Sequence, residues 1–254
     1  MKNGIPDLDL IDYLQNATRI LIFTGAGIST ASGIPDFRGP NGVWKVRQPV
    51  YYQDFMASEE ARIESWDQKL EGWAAFENAM PNAVHKAIAD LEAADKIEAV
   101  ITQNIDGLHA RAGTTQDHLI ELHGTNAAIE CQSCGARSDP ERHYAAFRRT
   151  RKPPVCACGG FLKTATISFG QNLLEDNLYR ATNAAGQADL VLSLGSTLSV
   201  YPAASFPLLT ARKGAPYIII NQGETDHDNS PALSLRLEGD VTELFPPAVE
   251  AALS

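Results

Sequence analysis

The chain has 254 residues, a formal net charge of -10 and an apolar share of 44%, enough to build one large domain or a main domain with a smaller insertion. The acidic balance argues against direct electrostatic binding to nucleic acid, and no run approaches the roughly 20 apolar residues that a membrane span needs. The opening MKNGIPDLDL carries acidic residues and no apolar core run, so no signal peptide is expected and the protein is expected to be cytoplasmic.

In chain order, residues 19–23 predict a buried strand that runs straight into Gly25-Ala26-Gly27. Residues 40–80 are aromatic and charged, with Trp44, Tyr51, Tyr52, Phe55, Trp66 and Trp73, and fit a sheet poorly. Pro81-Asn82 opens a helical stretch with Val84, Ile88 and Leu91 spaced by three and four. Strands follow at 97–101 and 119–122. Residues 125–165 hold all four cysteines, Pro153-Pro154 and a basic cluster of Arg137, Arg142, Arg148, Arg149, Arg151, Lys152 and Lys163. The clearest strand, 189–194, ends in Gly195-Ser196-Thr197, and another at 216–220 ends at Asn221. A short strand at 235–237 and a helix from Val241 complete the chain.

Short apolar strands alternating with helices predict an α/β fold, a parallel sheet covered on both faces. The stretches 40–80 and 125–165 are expected to fold together as a smaller module. Ligands of such sheets bind beyond the C-terminal strand ends. Gly25, residues 102–106, His123, Gly195 and Asn221 all follow strands and should therefore gather along one edge.

Several of these segments carry chemistry. Gly25-Ala26-Gly27 after a strand suits a nucleotide-binding turn, with a helix N-terminus beyond it to favour phosphate. A plain structural turn explains it as well, since Thr30 stands where a third glycine would be. In Gly33-Ile-Pro-Asp-Phe-Arg-Gly39, Asp36, Phe37 and Arg38 offer a carboxylate, an aromatic face and a phosphate-binding fork. A surface loop is the alternative. Gln103, Asn104 and Asp106 place two amides and a carboxylate after a strand, while His109 should begin a helix. His123 has the side chain best suited to proton transfer near neutrality, although a lone histidine is as a rule structural. His85, His118, His143 and His227 show nothing special around them.

Cys131-x-x-Cys134 and Cys156-x-Cys158 form the strongest self-contained signal. Two close thiolate pairs suit a closed tetrahedral zinc site, and Gly135 and Gly159-Gly160 supply the turns after them. With no open coordination position such a zinc is structural. The neighbouring arginines and lysines are expected to offset its negative charge.

Together these segments resemble the sirtuin family of NAD-dependent protein-lysine deacylases. The matching pieces are Gly25-Ala-Gly-Ile-Ser29, Gly33 to Gly39, Gly42-Val-Trp44, Thr102-Gln-Asn-Ile-Asp-Gly-Leu-His109, His123-Gly124, the cysteine pairs, Phe169-Gly170, Gly195-Ser-Thr-Leu198, Tyr201-Pro202 and Asn221. The resemblance implies a single catalytic domain over 1–254. Its large Rossmann-like part would span about 1–39, 81–124 and 166–254, with the small module at about 40–80 (helical) and 125–165 (zinc-binding). It implies NAD as a consumed co-substrate, acyl-lysine proteins or peptides as partners, and one structural zinc. Gly25, Ala26 and Ser29 would line the pyrophosphate site, with Asp36 nearby and Phe37 and Arg38 at the ribose. Asn104 and Asp106 would form the nicotinamide pocket with catalytic roles, and Gln103 would sit by the ribose. Gly195, Ser196, Thr197, Asn221 and Val241 would face the adenosine side. Ile167, Phe169 and Gly170 would hold the peptide. His123 would be the base on a ribose hydroxyl, giving free lysine, nicotinamide and an O-acyl-ADP-ribose.

The chain also departs from the family pattern. Thr164-Ala-Thr-Ile-Ser-Phe-Gly-Gln171 stands where members often have Pro-x-Val-Val-x-Phe-Gly-Glu, and Gly195-Ser-Thr inverts the common Gly-Thr-Ser. No Tyr-x-x-Arg pair, the mark of members that take acidic acyl groups, occurs between 50 and 80. Trp66 and Lys69 have that spacing with different chemistry, so acetyl or another uncharged acyl group is expected. An NAD hydrolase or ADP-ribosyltransferase on the same fold is the alternative function. A non-enzymatic zinc- and nucleotide-binding adaptor and a Rossmann dehydrogenase are the remaining ones.

Overall fold

The computed structural model describes residues 7–36 and 48–254. Asp7 caps helix α1 (Leu8–Asn16), its carboxylate accepting the Leu10 N–H at 3.1 Å. Strand β1 (Ile20–Thr24) is buried at every position. Helices α2 (Tyr52–Ala57) and α3 (Glu59–Asn78) precede α4 (Ala83–Ala93), which Asn82 caps in a box with His85. Then come β2 (Ile97–Thr102), α5 (Leu108–Ala112) and β3 (Leu119–Glu121). Strand β4 (Gly124–Cys131), β5 (Arg137–Ser138), α6 (Pro140–Thr150) and β6 (Leu162–Thr166) follow. The chain ends with α7 (Glu175–Gln187), β7 (Leu190–Leu194), α8 (Ser205–Ala211), β8 (Tyr217–Asn221), β9 (Leu235–Glu238) and α9 (Val241–Leu253).

Six strands form one sheet in the order β3-β2-β1-β7-β8-β9, with every neighbouring pair parallel. Along β1 the side chains alternate between the faces, as the strand period requires. Ile20 and Ile22 join Leu10, Ile88, Leu192 and Phe245 beneath α1, α4 and α9. Leu21 and Phe23 join Ala181, Ala185, Phe206 and Ile219 beneath α7 and α8. The expected α/β sheet with helices on both faces is what the chain forms.

Strand order reverses between β1 and β7, which makes that crevice the place where this topology binds ligands. Thr24 lies opposite Thr102 on one side and Leu194 on the other. Gly25, Gln103 and Gly195 therefore leave the sheet at the same level.

A second, antiparallel sheet has the order β5-β4-β6. Its core combines Phe55 and Trp66 of the helical stretch with Ile129, Cys131, Tyr144, Phe147 and Leu162. Trp66 meets Tyr144 edge-on at 5.5 Å between ring centres and donates its indole N–H to the Leu162 carbonyl at 3.1 Å.

Candidate active site

Gly25, Gly27 and Gly195 allow the ends of β1 and β7 to touch. Gly25 N–H donates to the Leu194 carbonyl at 3.1 Å and Gly27 N–H to the Gly195 carbonyl at 2.9 Å. A Cβ at Gly27 would lie 2.8 Å from Gly195 Cα, and Gly195 itself has φ +60°, so backbone occupies the space that side chains would need. Beyond the turn, the structure corrects the sequence reading. The chain makes two single 3₁₀ turns, Ala26–Ile28 and Thr30–Ser32, instead of starting an α-helix. The N–H groups of Ile28 and Ser29 donate to the Gly25 and Ala26 carbonyls, so these two donors are used within the turn. Ser29, Thr30 and Ser32 are weak helix formers, and left-handed Gly33 ends the second turn.

The segment after β2 packs onto this turn. Asn104, 6% exposed, donates from Nδ2 to the Gly25 carbonyl at 3.1 Å and to Ser29 Oγ at 3.2 Å. Asp106 accepts from Ser29 Oγ at 2.8 Å and from the Leu108 N–H at 2.9 Å. Burial pushes the Asp106 carboxyl above its ordinary range, against those hydrogen bonds. Gln103 donates to Ser196 Oγ at 2.9 Å and so joins β2 to the loop after β7.

His123 follows β3. Its Nδ1 lies 3.1 Å from the Gln103 carbonyl, which can only accept, so Nδ1 carries the proton in the neutral ring. That leaves the Nε2 lone pair free. Burial holds the imidazole below its usual pKa, against the upward pull of the Gln103 hydrogen bond, and so favours the neutral base. The His123 carbonyl accepts the Ile167 N–H at 2.8 Å, fixing the start of the segment after β6.

These pieces surround one cavity of about 1210 Å³, larger than the usual space for a single small ligand. Gly25, Ala26, Asp36, Gln103, Asn104 and His123 line one part of it. Gly195, Ser196, Thr197, Asn221 and Val241 line a second, and Ile167, Phe169 and Gly170 a third. Ser29 and Asp106 stand one layer behind the wall. Phe37 and Arg38, with Gly42 and Trp44, lie outside the described residues. Lys69, Thr166 and Gln171, singled out in the sequence by their departures from the family pattern, also line the cavity, and the sequence reading missed Ser65 and Gln68 of α3 and Ser168 after β6. A spacing of three and four on a helix was the signal for the α3 residues. Burial brings the Lys69 ammonium down to about 8, and its Nζ donates to Asn126 Oδ1 at 3.4 Å.

The remaining histidines split into two groups. His118 pairs with Glu92 at 3.1 Å and His143 meets Ser138 at 2.9 Å near the surface. His85, His109 and His227 are buried. His109, in α5 as predicted, meets Thr24 Oγ1 at 3.0 Å and packs edge-on against His85 with ring centres 5.0 Å apart. His227 meets the Tyr217 hydroxyl at 2.9 Å, inside the core.

The four cysteine Sγ atoms all lie within 4.8 Å of one another, with Cys131–Cys158 at 3.5 Å and Cys134–Cys156 at 3.8 Å. Zinc–sulfur bonds of about 2.3 Å in a tetrahedron require sulfurs about 3.8 Å apart, so the set fits zinc with no position left over. N–H donors from Cys134 and Ser133 pull the Cys131 thiol toward thiolate. Gly135 and Gly159 take left-handed φ values of +70° and +87° at the turns after each pair. The expected charge compensation is different, however. Arg137 pairs with Glu130, Arg148 with Glu141 and Arg151 with Asp67, so these arginines answer carboxylates.

Comparison with known proteins agrees with this geometry. Residues 25–202 match the model of the Sir2 family. A "NAD-dependent protein deacetylase" of Rhodopseudomonas palustris is 41% identical over 250 residues, covering 98% of this chain and 97% of the relative. One of the same description from Haloarcula marismortui is 37% identical over 260 residues, covering 98% of each. A solved complex described as "Sir2-p53 peptide-NAD+" superposes with a TM-score of 0.86 at 37% identity, over 97% of this chain and 98% of the other. A Sir2 variant with a deacetylated p53 peptide and 3'-O-acetyl-ADP-ribose gives a TM-score of 0.86 at 36% identity, over 98% of this chain and 100% of the other. The chain therefore belongs to the Sir2 family.

Proposed function

We propose that this protein is an NAD-dependent protein-lysine deacetylase that releases nicotinamide, O-acetyl-ADP-ribose and free lysine. The observation that carries this reading is His123, held by the Gln103 carbonyl with Nε2 free, in a cavity walled by the Gly25–Gly195 contact and by Ile167, Phe169 and Gly170. Relatives of similar length bear the deacetylase name, and similar structures hold peptide with NAD+ or the acetylated product.

In this reading Gly25, Ala26 and Asp36 hold the diphosphate and ribose side, and Gly195, Ser196, Thr197, Asn221 and Val241 the adenosine side. Phe37 and Arg38 belong to the same ribose set. Asn104 faces the nicotinamide, with Ser29 and Asp106 fixing it from behind and Gln103 reaching the ribose. When bound, NAD supplies an electrophilic ribose carbon with nicotinamide as its leaving group. His123 Nε2 takes a proton from a ribose hydroxyl, which the neutral tautomer is set to do. Ile167, Phe169 and Gly170 hold the acyl-lysine peptide, and Cys131, Cys134, Cys156 and Cys158 a structural zinc. The large part (about 1–39, 81–124 and 166–254) carries the nucleotide, and the small module (about 40–80 and 125–165) closes the cleft. No helix among the described residues is long and apolar enough to cross a membrane, and the reading places the enzyme in the cytoplasm.

The test is incubation with NAD and an acetyl-lysine peptide, followed by mass spectrometry. O-acetyl-ADP-ribose forms in step with free lysine. Nicotinamide release at the same rate without peptide would instead establish the NAD hydrolase alternative.

A further inference from the structure

The segment after β6 forms one wall of the cavity, from Thr166 through Gln171, yet little of it belongs to a regular ladder. Pairing between β4 and β6 breaks between Gly124 and Ile129, opposite Thr164 and Thr166. Carbonyls two residues apart on a strand point the same way. At this break both turn to the ammonium of Lys163. Its Nζ donates to the Thr164 carbonyl at 3.2 Å, to the Thr166 carbonyl, and to Gln171 Oε1 at 3.3 Å. All three ammonium protons are thus committed within one short stretch of chain. Gln171 Oε1 also accepts the Ser168 N–H at 3.1 Å, so the loop folds back onto the lysine that anchors it.

Lys163 is 4% exposed and pairs with no carboxylate among the described residues. Burial and the nearby Lys69 bring its pKa down to about 7, against the attraction of Glu130. A buried cation is costly unless its protons are fully bonded, and here backbone and an amide bond them. Gln171 fits the same arrangement as a neutral acceptor.

We propose that Lys163 is a positioning residue for the acyl-lysine peptide, its buried ammonium fixing segment 164–171 in the shape that forms the cavity wall beside His123. The inference rests on the deacetylase reading for its ligand, but the hold on the segment stands on the hydrogen bonds alone. The fixed segment is carried forward by two more contacts, Ile167 N–H to the His123 carbonyl at 2.8 Å and Tyr52 N–H to the Phe169 carbonyl at 2.9 Å. The glycines and Asn221 assigned to NAD lie on other elements, so the effect of losing the ammonium falls on the peptide.

The experiment compares Lys163→Met with wild type in steady-state kinetics, zinc content and amide hydrogen exchange. The expected result is a KM for acetyl-lysine peptide raised roughly tenfold, with the KM for NAD and the zinc content unchanged and faster exchange over 164–171. An unchanged peptide KM in the folded variant overturns the proposal. So does an equal rise in both KM values, which marks a general structural role. If Lys163→Met does not fold, Gln171→Leu decides by the same criteria, with a smaller rise in peptide KM expected. If wild type turns over no peptide, the deacetylase reading fails, and exchange over 164–171 still decides: protection unchanged by Lys163→Met overturns the hold itself.

Discussion

His123 shows how position converts an ordinary residue into a chemical one. Alone after a strand it reads as structural, but the Gln103 carbonyl fixes its tautomer and burial keeps it neutral. Replacing it with alanine is expected to lower turnover by about 10²–10⁴-fold while calorimetry still records NAD binding. A base works when unprotonated, so activity falls as pH drops through its pKa. Because burial lowers that pKa below 6.5, the acid limb of kcat/KM against pH is expected below pH 6.5. A midpoint above neutrality would remove His123 from the base role. Other residue assignments were legible in type and not in layer. Ser29 and Asp106 were expected in the site, and the fold puts them behind Asn104, which they orient.

At the scale of elements, the meeting of β1 with β7 and the packing of α4 on α5 each make a prediction. Gly27→Ala places a methyl group 2.8 Å from Gly195 Cα and forces the strand ends apart. The expected cost is about 1–3 kcal/mol in denaturant unfolding, with weaker NAD binding. Helices α4 and α5 meet through His85 and His109, whose pKa values burial brings down to about 4 and about 3. Both lie below the free value of 6.5, so on acidification the unfolded chain binds protons first. Their contribution is complete above pH 6.5 and is lost as pH falls toward 4. Melting temperatures should therefore drop between neutrality and about pH 5, and His85→Gln should flatten that drop. Sequence periodicity located β1, β2, β7 and β8 because their runs are short and mainly apolar. It did not locate α7, whose buried face is Ala181, Ala184 and Ala185, too small to mark a stripe.

At the scale of the whole molecule, the core of the small antiparallel sheet and the cysteine cluster share Cys131. The cluster of Phe55, Trp66, Ile129, Tyr144, Phe147 and Leu162 is separate from the two that cover the parallel sheet. Chelation is expected to remove one zinc, abolish turnover and expose Trp66, while far-UV circular dichroism keeps most of its signal. Loss of the whole signal would mean that both parts fold as one unit.

The sequence by itself determined the parallel sheet, the zinc ligands and the set of residues that follow the strands. Each of these is written in local pattern: short, mainly apolar runs, close thiol pairs, glycine after a strand. Only the tertiary structure decided which of those residues face the cavity, which way His123 carries its proton, and that Arg137, Arg148 and Arg151 serve carboxylates. It also replaced the expected helix after Gly27 with two 3₁₀ turns. These features depend on contacts between segments far apart in the chain, such as Gly27 with Gly195 and His123 with Gln103. No local spacing encodes them, because they exist only once the strands have been brought side by side.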